Sequence, residues 1–140
     1  MTRTLRDVVD RAIVLADRAR QYWSIELPKA HPQYPVVNLG EGEPAPPPEE
    51  QELRTLLEDL SSDEIYALVV LMSLGRGEFG LRDLPARQTE IRRTFDKPEW
   101  AVSQMVGKES LGDDLADGLE ILRKNHISVE SLVAAPVGAP

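Results

Sequence analysis

The chain has 140 residues, of which 41% are hydrophobic and 29% charged, with a net charge of −8 and no cysteine. This composition predicts one cytoplasmic domain with its own core, and it excludes disulfides, thiol nucleophiles and thiolate-bound metals. The acidic balance argues against nucleic acid as a partner, because that affinity comes mainly from neutralised phosphates, and no apolar run approaches the roughly 18 residues of a membrane helix.

Residues 1–27 are predicted to hold one long N-terminal helix. Its apolar positions follow a 4-3-4-3-4 spacing, as expected for one helical stripe. The stripe consists of Leu5, Val9, Ala12, Ala16, Ala19 and Trp23. Ile13, Val14 and Leu15 widen the apolar surface, so the helix needs cover on more than one side. Either the rest of the chain or a second copy can supply that cover, and a homodimer is therefore an open alternative.

Residues 28–50 are predicted to be a connector, because seven of the eleven prolines lie between residues 28 and 48. Proline removes amide donors and fixes φ, which disfavours both helix and central strand. Lys29, Pro32 and Pro35 also fit a K-x-x-P-x-x-P spacing that polyproline-reading domains accept. A rigid linker explains the same residues, and we favour it over a docking peptide. The acidic residues that follow, nine in residues 41–64 against Arg54 alone, could steer a protein partner or only aid solubility.

Residues 51–128 are predicted to form a helical domain, and 129–140 a loose C-terminal tail after one further turn. Pro48 with Glu49 and Glu50 suits a first helical turn, and Ser61 with Glu64 has the spacing of a capping box. Two helices carry apolar residues at i, i+3, i+4 and i+7: Leu53, Leu56, Leu57 and Leu60, then Ile65, Leu68, Val69 and Met72. Gly75 or Gly77 is predicted to stop the second of these helices in the left-handed conformation. Further helices are predicted to open near Pro85, Pro98 and Ser110. The first of them has four residues on one side, Leu84, Gln88, Ile91 and Phe95, and the next carries the apolar residues Trp100, Val102, Met105 and Val106. No segment alternates like a strand, so the fold class is all-α, an irregular bundle of five to six helices.

Gly75, Gly77 and Gly80 spell G-x-G-x-x-G behind an apolar run. In a dinucleotide-binding fold these glycines would lie between a strand and a helix. Here the preceding run has helical spacing, and a helix starting in the motif would hold Pro85 in its interior at a cost of about 3 kcal/mol. We therefore predict a turn between helices. Gly75, Arg76 and Gly77 are the candidate binding residues, for an anion facing the backbone amides and the arginine.

Asp113, Asp114 and Asp117 copy the D-D-x-x-D spacing of enzymes that bind magnesium and diphosphate. At 100° per residue the three acids share one side of a helix, away from the stripe of Leu111, Leu115, Leu119 and Leu122. We predict a solvated polar side, with Ser110 as the cap and Asp113 as its return partner, and Glu120 paired with Lys124. Gly118 lies within the leucine stripe, which predicts that another helix approaches closely there.

No catalytic constellation is apparent in the sequence. His31 and His126 lie 95 residues apart in unlike contexts, and no acid/base pair is marked by its spacing. We predict no metal, no cofactor and no catalytic residue.

Two segments resemble the DUF3775 family, a bacterial domain of unknown function. They are the helix and turn "LVVLMSLGRGEFG" and the later pattern of Leu111, Leu115, Gly118 and Leu119. The resemblance covers about residues 54–123 and omits the N-terminal helix and the proline-rich arm. It implies a small helical domain and supplies no activity, cofactor or site residue.

The leading functional hypothesis is a non-catalytic helical module that associates with itself or with another protein. Its alternative is a sensor or enzyme that binds a small anionic ligand at the Gly75–Gly80 turn and the nearby arginines.

Overall fold

The computed structural model describes residues 4–22 and 48–133, which form six α-helices and two 3-10 helices. The α-helices are α1 (Leu5–Gln21), α2 (Pro48–Glu58), α3 (Ser62–Gly75), α4 (Leu84–Thr94), α5 (Pro98–Val106) and α6 (Leu111–Lys124). The 3-10 helices are Leu81–Asp83 and Val129–Val133. These residues include no strand, so the predicted all-α class is confirmed. Residues 28–47 of the predicted connector, with Lys29, Pro32 and Pro35, lie outside the described residues.

α3 lies at the centre of the bundle because it is apolar on every side. All of its residues from Ile65 to Leu74 are buried. A helix without a polar face needs neighbours all round, and α3 contacts α4, α5, α6 and the C-terminal 3-10 helix. The predicted capping box is confirmed, since Glu64 N–H donates to Ser61 Oγ at 3.2 Å and Ser61 N–H donates to Glu64 Oε1 at 3.0 Å.

The N-terminal helix α1 packs within the fold of its own chain. The predicted stripe is buried at Leu5, Val9, Ala12, Ala16 and Ala19, and Val8 and Leu15 are buried beside it. Trp23 lies outside the described residues. α2 and α6 provide the cover on two sides, which leaves Val14 exposed at 40% and Ile13 half-buried. The broad apolar surface is therefore used by the chain itself.

α4 and α5 each begin near a proline, as predicted. Pro85 and Pro98 occupy the first turn of their helices, where a missing amide donor costs nothing. Of the four residues predicted on one side of α4, Gln88 and Ile91 are buried, and Leu84 and Phe95 are half-buried. Gln88 can be buried because its Nε2 donates to Leu132 O at 3.3 Å.

The chain remains packed beyond the end of α6. Val129 and Leu132, in the second 3-10 helix, are buried, and this helix contacts α3 and α1. The predicted extra turn is present, and two apolar side chains anchor it. The remainder of the predicted tail, residues 134–140, lies outside the described residues. The division into four segments remains a prediction.

Candidate functional site

The glycine-rich turn after α3 is a Schellman helix stop. Glu78 N–H donates to Ser73 O and Gly77 N–H donates to Leu74 O, each at 3.1 Å. Gly77 has a φ of 77°, a left-handed conformation that glycine adopts without steric cost. The prediction that Gly75 or Gly77 ends the helix in this conformation is confirmed at Gly77.

α6 crosses α3 at close range beside this turn. A methyl group on Gly118 would lie 2.4 Å from Leu71 O and 2.8 Å from Leu71 Cδ1. Real side chains do not approach backbone oxygen so closely, so glycine is needed for the two helices to meet. The predicted close approach of another helix at Gly118 is confirmed.

Arg76, the central residue of the predicted binding turn, extends from the end of α3 to α6. Its Nη1 donates to Asp114 Oδ2 and to Ser110 Oγ, both at 3.2 Å, and its Nε donates to Glu78 Oε2 at 3.0 Å. Two carboxylates therefore already neutralise the guanidinium. An anionic ligand at Arg76 would have to compete with both of them.

Asp114 corrects the expectation that all three acids lie on a solvated side. Its side chain is 12% exposed, and Ser110 Oγ donates to its Oδ2 at 2.8 Å. The position lies only about 40° from Gly118 around the helix. Because the two helices meet at Gly118, α3 covers Asp114 as well.

The other two acids of the D-D-x-x-D motif point elsewhere. Asp113 Oδ2 lies 2.7 Å from Arg20 Nη1 of α1, and this hydrogen bond and charge raise the pKa of Arg20. Asp117 is exposed. In residues 4–22 and 48–133, no group of three histidine, aspartate or glutamate side chains could hold a metal ion.

Two predicted local contacts of α6 are wrong. Ser110 makes no capping hydrogen bond with its side chain, because its ψ of 6° departs from the extended backbone of an N-cap. Its hydroxyl oxygen accepts from Arg76 Nη1 instead. Glu120 pairs with Arg123, whose Nε lies 2.9 Å from Glu120 Oε2, rather than with Lys124, and this hydrogen bond lowers the pKa of Glu120.

The most exposed large hydrophobic side chain of the described residues is Trp100, on α5. It is 54% exposed, and Lys97 Nζ lies 5.7 Å from its ring centroid. Sequence reasoning grouped Trp100 with the apolar side of this helix and missed its exposure. Helix geometry could have predicted this exposure. Around the helix, Trp100 lies about 140° from Met105 and about 160° from Val102, which are both buried.

His31, like the connector that contains it, lies outside the described residues. His126 is exposed at the end of α6. Within the described residues, no helix is both long and apolar enough to cross a membrane.

These features define a small all-α domain in which Arg76, in a glycine-rich turn, is hydrogen-bonded to Ser110 and Asp114 at the start of α6. A family model described as a protein of unknown function, DUF3775, matches residues 50–123. The match covers more than half of the 140-residue chain, and the chain belongs to this family, as the resemblance implied. No curated protein and no solved structure gives a significant match.

Proposed function

We propose that the protein acts without catalysis, by binding another protein through the face of α5 that carries Trp100. The observation that carries this proposal is the exposure of Trp100, because only Trp100 and Val14 are exposed among the large hydrophobic residues described. Tryptophan is enriched among the residues that dominate binding energy at interfaces. Covering its exposed surface with an apolar partner would contribute about 3 kcal/mol.

Lys97 adds a charge beside this apolar surface. Its ammonium lies 5.7 Å from the indole centroid, within the range of a cation–π contact. A partner that places an apolar side chain on Trp100 and a carboxylate near Lys97 would use both groups.

A different protein is favoured over a second copy as this partner. Self-association through α1 would bury its broad apolar surface, yet α2 and α6 already cover that surface. The apolar surface of α1 therefore does not support the homodimer hypothesis. Light scattering across a range of concentrations tests it, and a concentration-dependent rise in mass would restore it.

The test is an affinity capture from the host organism with three tagged chains: wild type, Trp100→Ala and Val14→Ala. Val14→Ala is the matched control, because it also trims an exposed apolar side chain. We expect a protein that wild type and Val14→Ala recover equally and that Trp100→Ala recovers about tenfold less, as the loss of more than 1.4 kcal/mol predicts. Calorimetry with that purified protein must show the same difference. Equal recovery by all three chains would overturn the proposal.

Anion binding at Gly75, Arg76 and Gly77 stays a prediction. Thermal shift with a panel of nucleotides and phosphorylated metabolites, with and without magnesium, tests it directly. A shift that is lost in Arg76→Ala would support it, and the absence of any shift would count against it.

A further inference from the structure

α1 lies outside the family-matched residues and packs in a groove that those residues form. The match begins at residue 50, while α1 ends at Gln21 and contacts α2 and α6, both within the matched region apart from their ends. The groove and the helix in it therefore belong to different parts of the chain. Residues 23–47 join the helix to the part of the chain that forms the groove.

The groove accepts a helix at close range. A methyl group on Gly112 of α6 would lie 2.3 Å from Asp17 Oδ1 and 3.3 Å from Ile13 O of α1. On α1, the buried positions Ala12, Ala16 and Ala19 are small as well. Small residues on both sides allow the backbones to approach, which selects for a helix with small residues among its buried positions.

One ion pair on each side of the groove sets the position of α1 along it. Arg11 Nη2 lies 2.8 Å from Glu52 Oε1 of α2, and Arg20 Nη1 lies 2.7 Å from Asp113 Oδ2 of α6. Both pairs are substantially exposed, so each contributes at most about 1 kcal/mol. They therefore set the register of the helix more than they hold it in place.

We propose that the α2–α6 groove is a helix-binding site and that α1 is its intramolecular ligand. A partner helix of the same chemistry, with small residues within its buried apolar face and two basic residues nine positions apart, displaces α1 and takes its place. This site is separate from the surface at Trp100, and its test does not depend on that surface.

The test uses the full chain with a protease recognition sequence inserted in residues 28–47. After cleavage, a fluorescent peptide of residues 3–22 is added, and its anisotropy reports binding. We expect saturable binding to the cleaved chain and binding at least about tenfold weaker to the uncleaved chain, because tethered α1 competes at a high effective concentration. Circular dichroism of the cleaved chain monitors its fold.

Two peptide variants test the site without altering the protein. Ala12 is fully buried and Val14 is 40% exposed, so Ala12→Glu should weaken peptide binding at least about tenfold, whereas Val14→Glu should change it less than about threefold. The proposal is overturned if the cleaved chain takes up no peptide, if its helical signal collapses when α1 leaves, or if both variants bind alike. Equal binding to cleaved and uncleaved chains would overturn it too, because the peptide would then bind elsewhere.

Discussion

Gly75 of α3 and Gly118 of α6 face each other where the two helices cross. A methyl group on Gly75 would lie 1.8 Å from Asp114 O and 2.8 Å from Gly118 N, while one on Gly118 would meet Leu71 O. Each helix thus places a glycine against the backbone of the other. The first glycine of the G-x-G-x-x-G pattern consequently serves helix packing, and Gly77 serves the helix stop.

Gly75→Ala should destabilise the protein by at least about 2 kcal/mol, because the methyl group meets backbone that must shift. Gly80→Ala is the matched control in the same turn, since its methyl group would have no atom within 4 Å. That control should stay within about 0.5 kcal/mol of the wild type. Urea unfolding followed by circular dichroism measures both. Equal effects of the two substitutions would contradict the close crossing.

Arg76→Ala should destabilise by about 1–2 kcal/mol, because it leaves the covered carboxylate of Asp114 with Ser110 alone. The pair is partly exposed on the arginine side, which limits the loss. Arg93→Ala, at an exposed position of α4, is the control and should change stability by less than about 0.5 kcal/mol.

A double-mutant cycle separates the ion pair from other losses. Asp114→Asn and Arg76→Ala together should cost less than the sum of the two single changes, with a coupling of about 0.5–1 kcal/mol. Additive effects would show that Arg76 and Asp114 do not interact in solution. This cycle also informs the anion hypothesis, since a strongly coupled Arg76 is less free to bind a ligand.

The helices could be predicted from the sequence more completely than the contacts between them. Capping residues, prolines and apolar spacing are local signals, and they located the starts of α3, α4 and α5. The burial of Asp114 depends on which helix crosses α6 at Gly118, and no local sequence pattern specifies that helix. The docking of α1 within its own chain likewise depended on the groove between α2 and α6, so the sequence alone left a second copy as an alternative.

His126→Gly should stabilise the protein. His126 has a φ of 57°, and Ile127 N–H donates to Leu122 O at 2.9 Å, so it occupies the left-handed position of a second Schellman stop. A non-glycine residue there costs about 1–2 kcal/mol, against the 0.5–1 kcal/mol of chain entropy that glycine loses on folding. The expected net gain is about 0.5–1 kcal/mol by urea unfolding. Asn125→Gly, one residue earlier with a φ of −106°, should not stabilise, and a gain there would contradict this account.

Tyr66→Phe should destabilise the protein at pH 8 and cost progressively less as the pH rises above 10. Tyr66 Oη donates to Phe95 O at 2.5 Å, a hydrogen bond that contributes about 1 kcal/mol. Burial raises the pKa of Tyr66 above its usual value. The neutral phenol is therefore favoured in the folded state. This contribution is fully present below the unfolded pKa of about 10, and it is lost as the pH rises through the folded pKa.

Urea unfolding of wild type and Tyr66→Phe at pH 8 and near pH 11 checks this dependence, because groups shared by both chains cancel in the difference. Tyrosinate absorbance gives a second readout, since the tyrosine signal missing from Tyr66→Phe should titrate above the usual pKa of about 10. A stability difference that stays constant from pH 8 to 11 would show that Tyr66 ionises alike in the folded and unfolded chains.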